Sequence, residues 1–261
     1  MQITQNQEIQ LHQGLLLFKP QKQICNYGFV LNYEQAKLKI SFELQLTFLG
    51  IKNQNFASYS MDRKSIFLNN QKPDSMLYEI ANKMSEGLYP IEFTINQNLE
   101  CVSINNHKAI MARCEEIEQE ITNYYQGEIP QKMIANFQDS YKNPSNLLKQ
   151  IQKEMWFQLL FFPMFNAYNA LLQSKINYKW FVEAQQIEFE LQNHIEKFYD
   201  HNGKVVVHVV SKDSLVNQAS YQATFCLHSK SHTIATINGT VAYQEEGKTE
   251  TLRFECYDLN G

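Results

Sequence analysis

From Leu38 to Phe48 the chain alternates without a fault. Leu38, Ile40, Phe42, Leu44, Leu46 and Phe48 are apolar, and Lys39, Ser41, Glu43, Gln45 and Thr47 between them are polar. Only an extended strand puts every second side chain on one face. One face is therefore buried and the other wet. That is an antiparallel habit, because strands of parallel sheets are apolar on both faces. Whatever else the chain forms, it must contain an antiparallel sheet with one polar side.

The same period of two recurs late in the chain. Ile187, Phe189 and Leu191 alternate with Glu188 and Glu190, and Ala223, Phe225 and Leu227 form another such row. Asn202-Gly203 is a strong two-residue hairpin signal, and Glu245-Glu246-Gly247-Lys248 joins the last two strands. Residues 11–68 and 177–257 thus read as β-rich, and a hairpin is expected over 90–105.

Between these parts the period changes to that of a helix. Lys72-Pro73-Asp74-Ser75 opens a helix over 74–87, with Leu77, Ile80, Ala81, Met84 and Leu88 at helical spacing and Gly87 as its C-terminal stop. Residues 106–162 read as a helical block in three pieces. Ile110, Cys114, Ile117, Ile121 and Tyr124 make the stripe of the first; Pro130 and Asn143-Pro144 mark the next two starts. The expected fold class is α+β: a curved antiparallel sheet, or sheets, built from N-terminal and C-terminal strands around a central block of about three to four helices. One domain over 1–261 is the preferred reading, since no flexible linker separates the β-rich parts; two β-subdomains bridged by helices is the alternative. The layout of strands, helices and strands resembles that of curved half-barrel carriers of apolar ligands, with no motif in common.

Composition removes several functions. With 23 Lys and Arg against 27 Asp and Glu, the chain offers no general attraction to phosphate backbones, so no nucleic-acid partner is expected. Nine glycines occur without a GxGxxG or GxxxxGK[ST] string, so no phosphate-cradling loop can be built from them. The five cysteines, Cys25, Cys101, Cys114, Cys226 and Cys256, are odd in number and lack a CxxC. They read as free thiols in a reducing compartment, and a cytoplasmic location is expected. The start, MQITQNQEIQ, has neither a basic segment nor an apolar one, so it does not read as a signal peptide.

Catalytic and metal patterns are thin. His228 and His232 are four apart, but the neighbours are strand-like and no adjacent Asp or Cys completes a ligand set. His107 and His208 read as structural or surface residues, and Cys114 as a core thiol on a helix stripe. Glu115, Glu116, Glu118 and Glu120 read as the polar side of the 106–126 helix. No cofactor and no metal are expected.

One stretch remains: MWFQLLFFPMF, residues 155–165. No charge occurs from Met155 to Ser174, but the apolar run is too short to span a bilayer, and Gln158 and Pro163 interrupt it. Leu148, Ile151, Met155, Leu159 and Phe162 form one core stripe of a helix that Pro163 stops. Trp156, Phe157, Phe161 and Phe165 lie off that stripe; they meet the protein's own sheet, a ligand or another subunit, and are the candidate residues for binding a ligand or a partner. The favoured function is a non-catalytic interaction or structural protein, a component of a larger assembly or an oligomer. Its alternatives are a carrier or sensor of a small apolar ligand, and an enzyme whose site is assembled from distant residues.

Overall fold

The computed structural model describes residues 7–19, 24–53, 55–72, 74–182, 185–212 and 219–260. Pro73 and the first six residues, to which the sequence assigned a helix start and a leaderless terminus, lie outside them. In chain order the elements are β1 (Ile24–Tyr33), β2 (Leu38–Asn53), β3 (Phe56–Leu68), α1 (Met76–Glu86), β4 (Ile91–Asn96), β5 (Cys101–Ile104), α2 (His107–Tyr124), α3 (Glu128–Tyr141), α4 (Pro144–Lys153) and α5 (Met155–Leu160). Then follow β6 (Gln173–Val182), β7 (Gln185–Ile195), β8 (Lys204–Ser211), β9 (Ser220–His228), β10 (Ile234–Glu245) and β11 (Lys248–Asp258). The eleven strands share one sheet in the order β5-β4-β3-β2-β1-β11-β10-β9-β8-β7-β6, which does not close on itself. The protein is thus mostly antiparallel sheet, and its helical share is smaller than the expected central block. Among the described residues, strands begin at Ile24 and not near residue 11, and resume at Gln173, ahead of the expected Asn177.

By internal contacts the chain forms two compact units. One comprises Lys22–Asn26 and Ser41–Glu154, the other Met1–Gln21, Tyr27–Ile40 and Met155–Gly261.

In the first, β3 and β4 pair with Tyr59 opposite Phe93, and the two rings stack 5.9 Å apart. Ser75 caps α1 by accepting from the Tyr78 N–H. The stop at Gly87 has a different cause from the expected one: its φ is −61°, so no left-handed cap is present. A Cβ there would stand 3.0 Å from Cys114 Sγ and 3.2 Å from Cys114 Cα, so glycine lets the two helices approach. Ile80, Met84 and Ile121 form a buried cluster joined by Ile117, Tyr125, Met133, Ile134 and Phe137. Leu77, Ala81 and Tyr124, expected inside, face out. Tyr124 is the last residue of its helix, and its neighbour Tyr125 takes the inward place. Glu118, expected on the wet side of α2, is instead buried; it accepts from Tyr141 Oη at 2.5 Å and from Gln138 Nε2 at 2.7 Å. Two neutral donors satisfy the carboxylate and tie α2 to α3.

The stripe from Leu148 to Phe162 does not run along one helix. Glu154 breaks it with ψ at 134°, ending α4, and α5 starts afresh at Met155. The central helices therefore number four, and with α1 five, because the expected third piece is two.

In the second unit, β6 to β11 run as consecutive antiparallel pairs, and β1 closes on β11 with Tyr27 opposite Asp258. Both expected turns form, but the first encloses three residues and not two, since the Asp200 N–H donates to the Lys204 carbonyl at 3.0 Å around His201, Asn202 and Gly203. Gly203 has φ 70°, and Asp200 Oδ1 accepts from the N–H groups of Asn202 and Lys204. Glu246 and Gly247 take φ 49° and 77°, the paired left-handed values of a tight hairpin turn. Its core is aromatic: Trp180, Tyr221, Phe225 and Phe254 line one face, and Phe162 stacks on Phe225 at 4.9 Å and on Tyr221 at 5.9 Å. Gly239 lies opposite both Phe254 and Ala223, and leaves room for the Phe254 ring to cross β10.

Candidate functional site

Most of the apolar stretch is buried. Of the expected core stripe, Ile151, Leu159 and Phe162 are fully buried but Leu148 and Met155 only half-buried, whereas Trp156, Phe157 and Phe161, off the stripe, are 1%, 6% and 4% exposed. Phe157 and Phe161 stack at 4.9 Å, and Trp156 meets Phe157 edge-on at 5.7 Å. Phe165 lies apart from these three; it is half-buried against Phe18 at 5.2 Å.

The polar residue that interrupts the run has a defined task. Gln158 is 3% exposed. Its Oε1 accepts from the Phe181 N–H at 2.7 Å, and its Nε2 donates to the Phe181 carbonyl, also at 2.7 Å. The side-chain amide thus pairs with β6 as one residue of a neighbouring strand would. A buried backbone edge must be satisfied somehow, and an amide, with one donor and one acceptor arm, matches a backbone residue where no apolar side chain can.

At the other end of β6, Asn169 performs the same service. Its N–H donates to the Gln173 carbonyl at 2.9 Å, and its Oδ1 accepts from the Gln173 N–H at 3.0 Å. Bonds alternate along an antiparallel strand, so odd-numbered residues of β6 point their N–H and C=O away from β7. Consistently, the even-numbered Leu172 accepts from Ile195 on the β7 side. Lys175, Asn177 and Lys179 therefore present their backbone groups outward, and among the described residues none of these groups is paired. Their side chains are exposed, while Ile176 and Tyr178 on the opposite face are half-buried. The other edge strand, β5, is plugged by Gln152, which donates to the Cys101 carbonyl at 2.9 Å.

The remaining polar groups hold structure together. Lys204 Nζ lies 2.8 Å from His228 Nδ1, and His228 Nε2 lies 2.9 Å from Asp258 Oδ2. An ammonium can only donate, so Nδ1 accepts, and the hydrogen sits on Nε2 and is donated to Asp258. Asp258 is the acid missing from the local sequence around His228; it arrives from a distant strand. His232 Nδ1 bonds the Leu17 carbonyl, and its burial lowers its pKa. Among the described residues no three His, Cys, Asp or Glu side chains gather as a metal site. Burial pushes the Cys101 and Cys114 thiols up to about 12, and raises Cys256 as well. These thiols stay protonated near neutrality, which suits core packing and not nucleophilic attack. A shallow depression of about 350 Å³ lies on β9, β10 and β11, rimmed by Gln222, Thr224, Asn238, Thr240, Arg253 and Glu255.

Gln158 and Asn169 are the two residues that satisfy the ends of β6 and that sequence reasoning missed. For Gln158 the signal was a single polar residue inside an apolar run, which spacing alone does not interpret; Asn169 lies outside that run and gave none. No described helix is long and apolar enough to cross a membrane. No protein-family profile matches the sequence, and no curated protein matches it. Among solved structures, this chain is similar to lipovitellin, from a study of its lipid–protein interactions, with a TM-score of 0.45 and 7% identity over 92% of this chain. The match spans 25% of the lipovitellin chain, and a likeness of this size carries no argument about function.

Proposed function

We propose that the chain is a non-catalytic interaction protein, a component of a larger protein assembly, which meets its partner by backbone pairing along β6. The observation that carries this reading is the row of outward N–H and C=O groups at Lys175, Asn177 and Lys179, set between the Asn169 and Gln158 plugs. An open edge of this kind is a template for an added strand. Trp156, Phe157 and Phe161 then serve the edge from behind by fixing α5, and Phe165 is the member of the candidate set with surface left to offer.

Asn177→Pro tests the reading. Proline removes the central outward N–H, and the ladder to β7 loses no hydrogen bond because the Asn177 backbone groups point away from β7. In a native extract the 30.6 kDa chain is expected to migrate in a larger complex. The variant is expected to migrate at its own mass, with an unchanged unfolding midpoint. Wild-type chain at its own mass in that extract would refute the reading.

A second reading, carriage of a small apolar ligand, draws on one observation. Among the described residues, Trp180 Nε1 and Tyr221 Oη are buried in the aromatic cluster without a hydrogen-bond partner. A mostly apolar ligand with one acceptor and one donor would satisfy both. Native mass spectrometry that finds no co-purified small molecule removes it.

A further inference from the structure

We infer that the strand completing β6 is acidic: an extended segment with Asp or Glu opposite Lys175 and Lys179, and apolar side chains opposite Ile176 and Tyr178. This rests on the edge function proposed above and names the partner's chemistry. Alternation fixes which side chains share a face. Lys175, Asn177 and Lys179 share the exposed polar face, and Ile176 and Tyr178 share the face of the buried Trp180. A strand laid along this edge must repeat both faces, one residue at a time.

The strand on the opposite flank shows what β6 accepts. In β7, Glu188 stands opposite Lys179 with an ion pair of 3.3 Å, and Glu190 stands opposite Asn177. Phe189 faces Tyr178 and Leu191 faces Ile176. Acidic and apolar residues therefore alternate against β6 already. Lys175 faces Gln192 and forms no ion pair among the described residues, so its charge is available to a newcomer.

A second copy of the chain fits poorly. Two β6 strands paired antiparallel about Asn177 would set each Lys175 against the Lys179 of the copy. Like charges directly opposite are destabilising, and this pairing contains two such contacts.

The test uses the full chain and two short labelled peptides, one alternating Glu with Val and the other Lys with Val, read by fluorescence anisotropy. The Glu peptide is expected to bind about tenfold more tightly than the Lys peptide, a gap that narrows at high salt. Lys175→Glu with Lys179→Glu should reverse the order, and Asn177→Pro should lose both peptides. Equal binding of the two peptides, Glu-peptide binding that survives Asn177→Pro, or no binding of either overturns the acidic-strand assignment. If that assignment fails while Asn177→Pro still breaks the native complex, the edge function stands. If the complex ignores Asn177→Pro, the edge function itself has failed.

Discussion

Gln158 joins α5 to the sheet through two hydrogen bonds to one backbone residue, and its replacement has a calculable cost. Gln158→Leu keeps much of the volume and removes both bonds to Phe181. Each is worth about 1 kcal/mol net, and a backbone group left unpaired away from water costs about 1–3 kcal/mol. Phe181 is half-buried, so water recovers part of that second figure. The expected loss is about 2–4 kcal/mol. Urea unfolding followed by tryptophan fluorescence reads this joint directly. The only two tryptophans, Trp156 and Trp180, sit on α5 and β6 beside it. Gln158→Glu refines the test. A protonated carboxyl can accept from the Phe181 N–H and donate to its carbonyl, as the amide does, whereas a carboxylate can only accept and faces the carbonyl oxygen. The folded chain therefore raises the pKa of the introduced group above its unfolded value of about 4.3. Its contribution is fully present below that value and is lost as pH rises through the folded one. Gln158→Glu should approach wild type near pH ~4 and fall behind it near pH ~8. A Gln158→Leu midpoint within about 0.5 kcal/mol of wild type, or a Gln158→Glu deficit indifferent to pH, would show that the paired amide is incidental.

Trp156→Ala should cost about 3–5 kcal/mol in the same urea assay, since a fully buried ring is replaced by a cavity; an unchanged midpoint would return Trp156 to the list of exposed contacts. Gly239→Ala should lower stability by about 1–3 kcal/mol, because the new Cβ would press into the Phe254 ring and stand 2.8 Å from Ala223 Cβ. Gly247→Ala, where an added Cβ would meet no described atom within 4 Å beyond its chain neighbours, should cost only the strain of its positive φ. Thiol titration at pH ~8 should find Cys226, the one half-buried cysteine, reacting ahead of the four buried ones, with all five reacting in denaturant. Rapid reaction of Cys114 in the folded chain would contradict its burial.

Sheet, turns and the first face of the apolar stretch were legible because each rests on spacing. In β7 every expected inward residue is buried and Glu188 and Glu190 are exposed. The founding row from Leu38 to Phe48 forms β2, but only Leu44 and Leu46 are fully buried, while Leu38, Ile40, Phe42 and Phe48 are half-buried. Alternation names a face and does not say how well it is covered. Polar residues with one distant partner were illegible. Glu118 looks like any helix-surface acid until Tyr141 and Gln138 reach it, and Gln158 looks like a blemish until Phe181 stands beside it. The break at Glu154 was hidden for a related reason, since the apolar spacing runs on across it unchanged.

The pairing of β1 with β11 sets a timetable for biosynthesis. Tyr33 meets Leu252, and Tyr27 meets Asp258. At ~5–20 residues per second, a ribosome needs tens of seconds to supply the last strand after the first has emerged. Throughout that interval Phe29 and Leu31, buried in the finished protein, await the neighbour that covers them. A nascent chain stopped before Leu252 keeps a vacancy in the middle of its sheet, not at the margin. An early strand thus stays without its neighbour until Asp258 has been made.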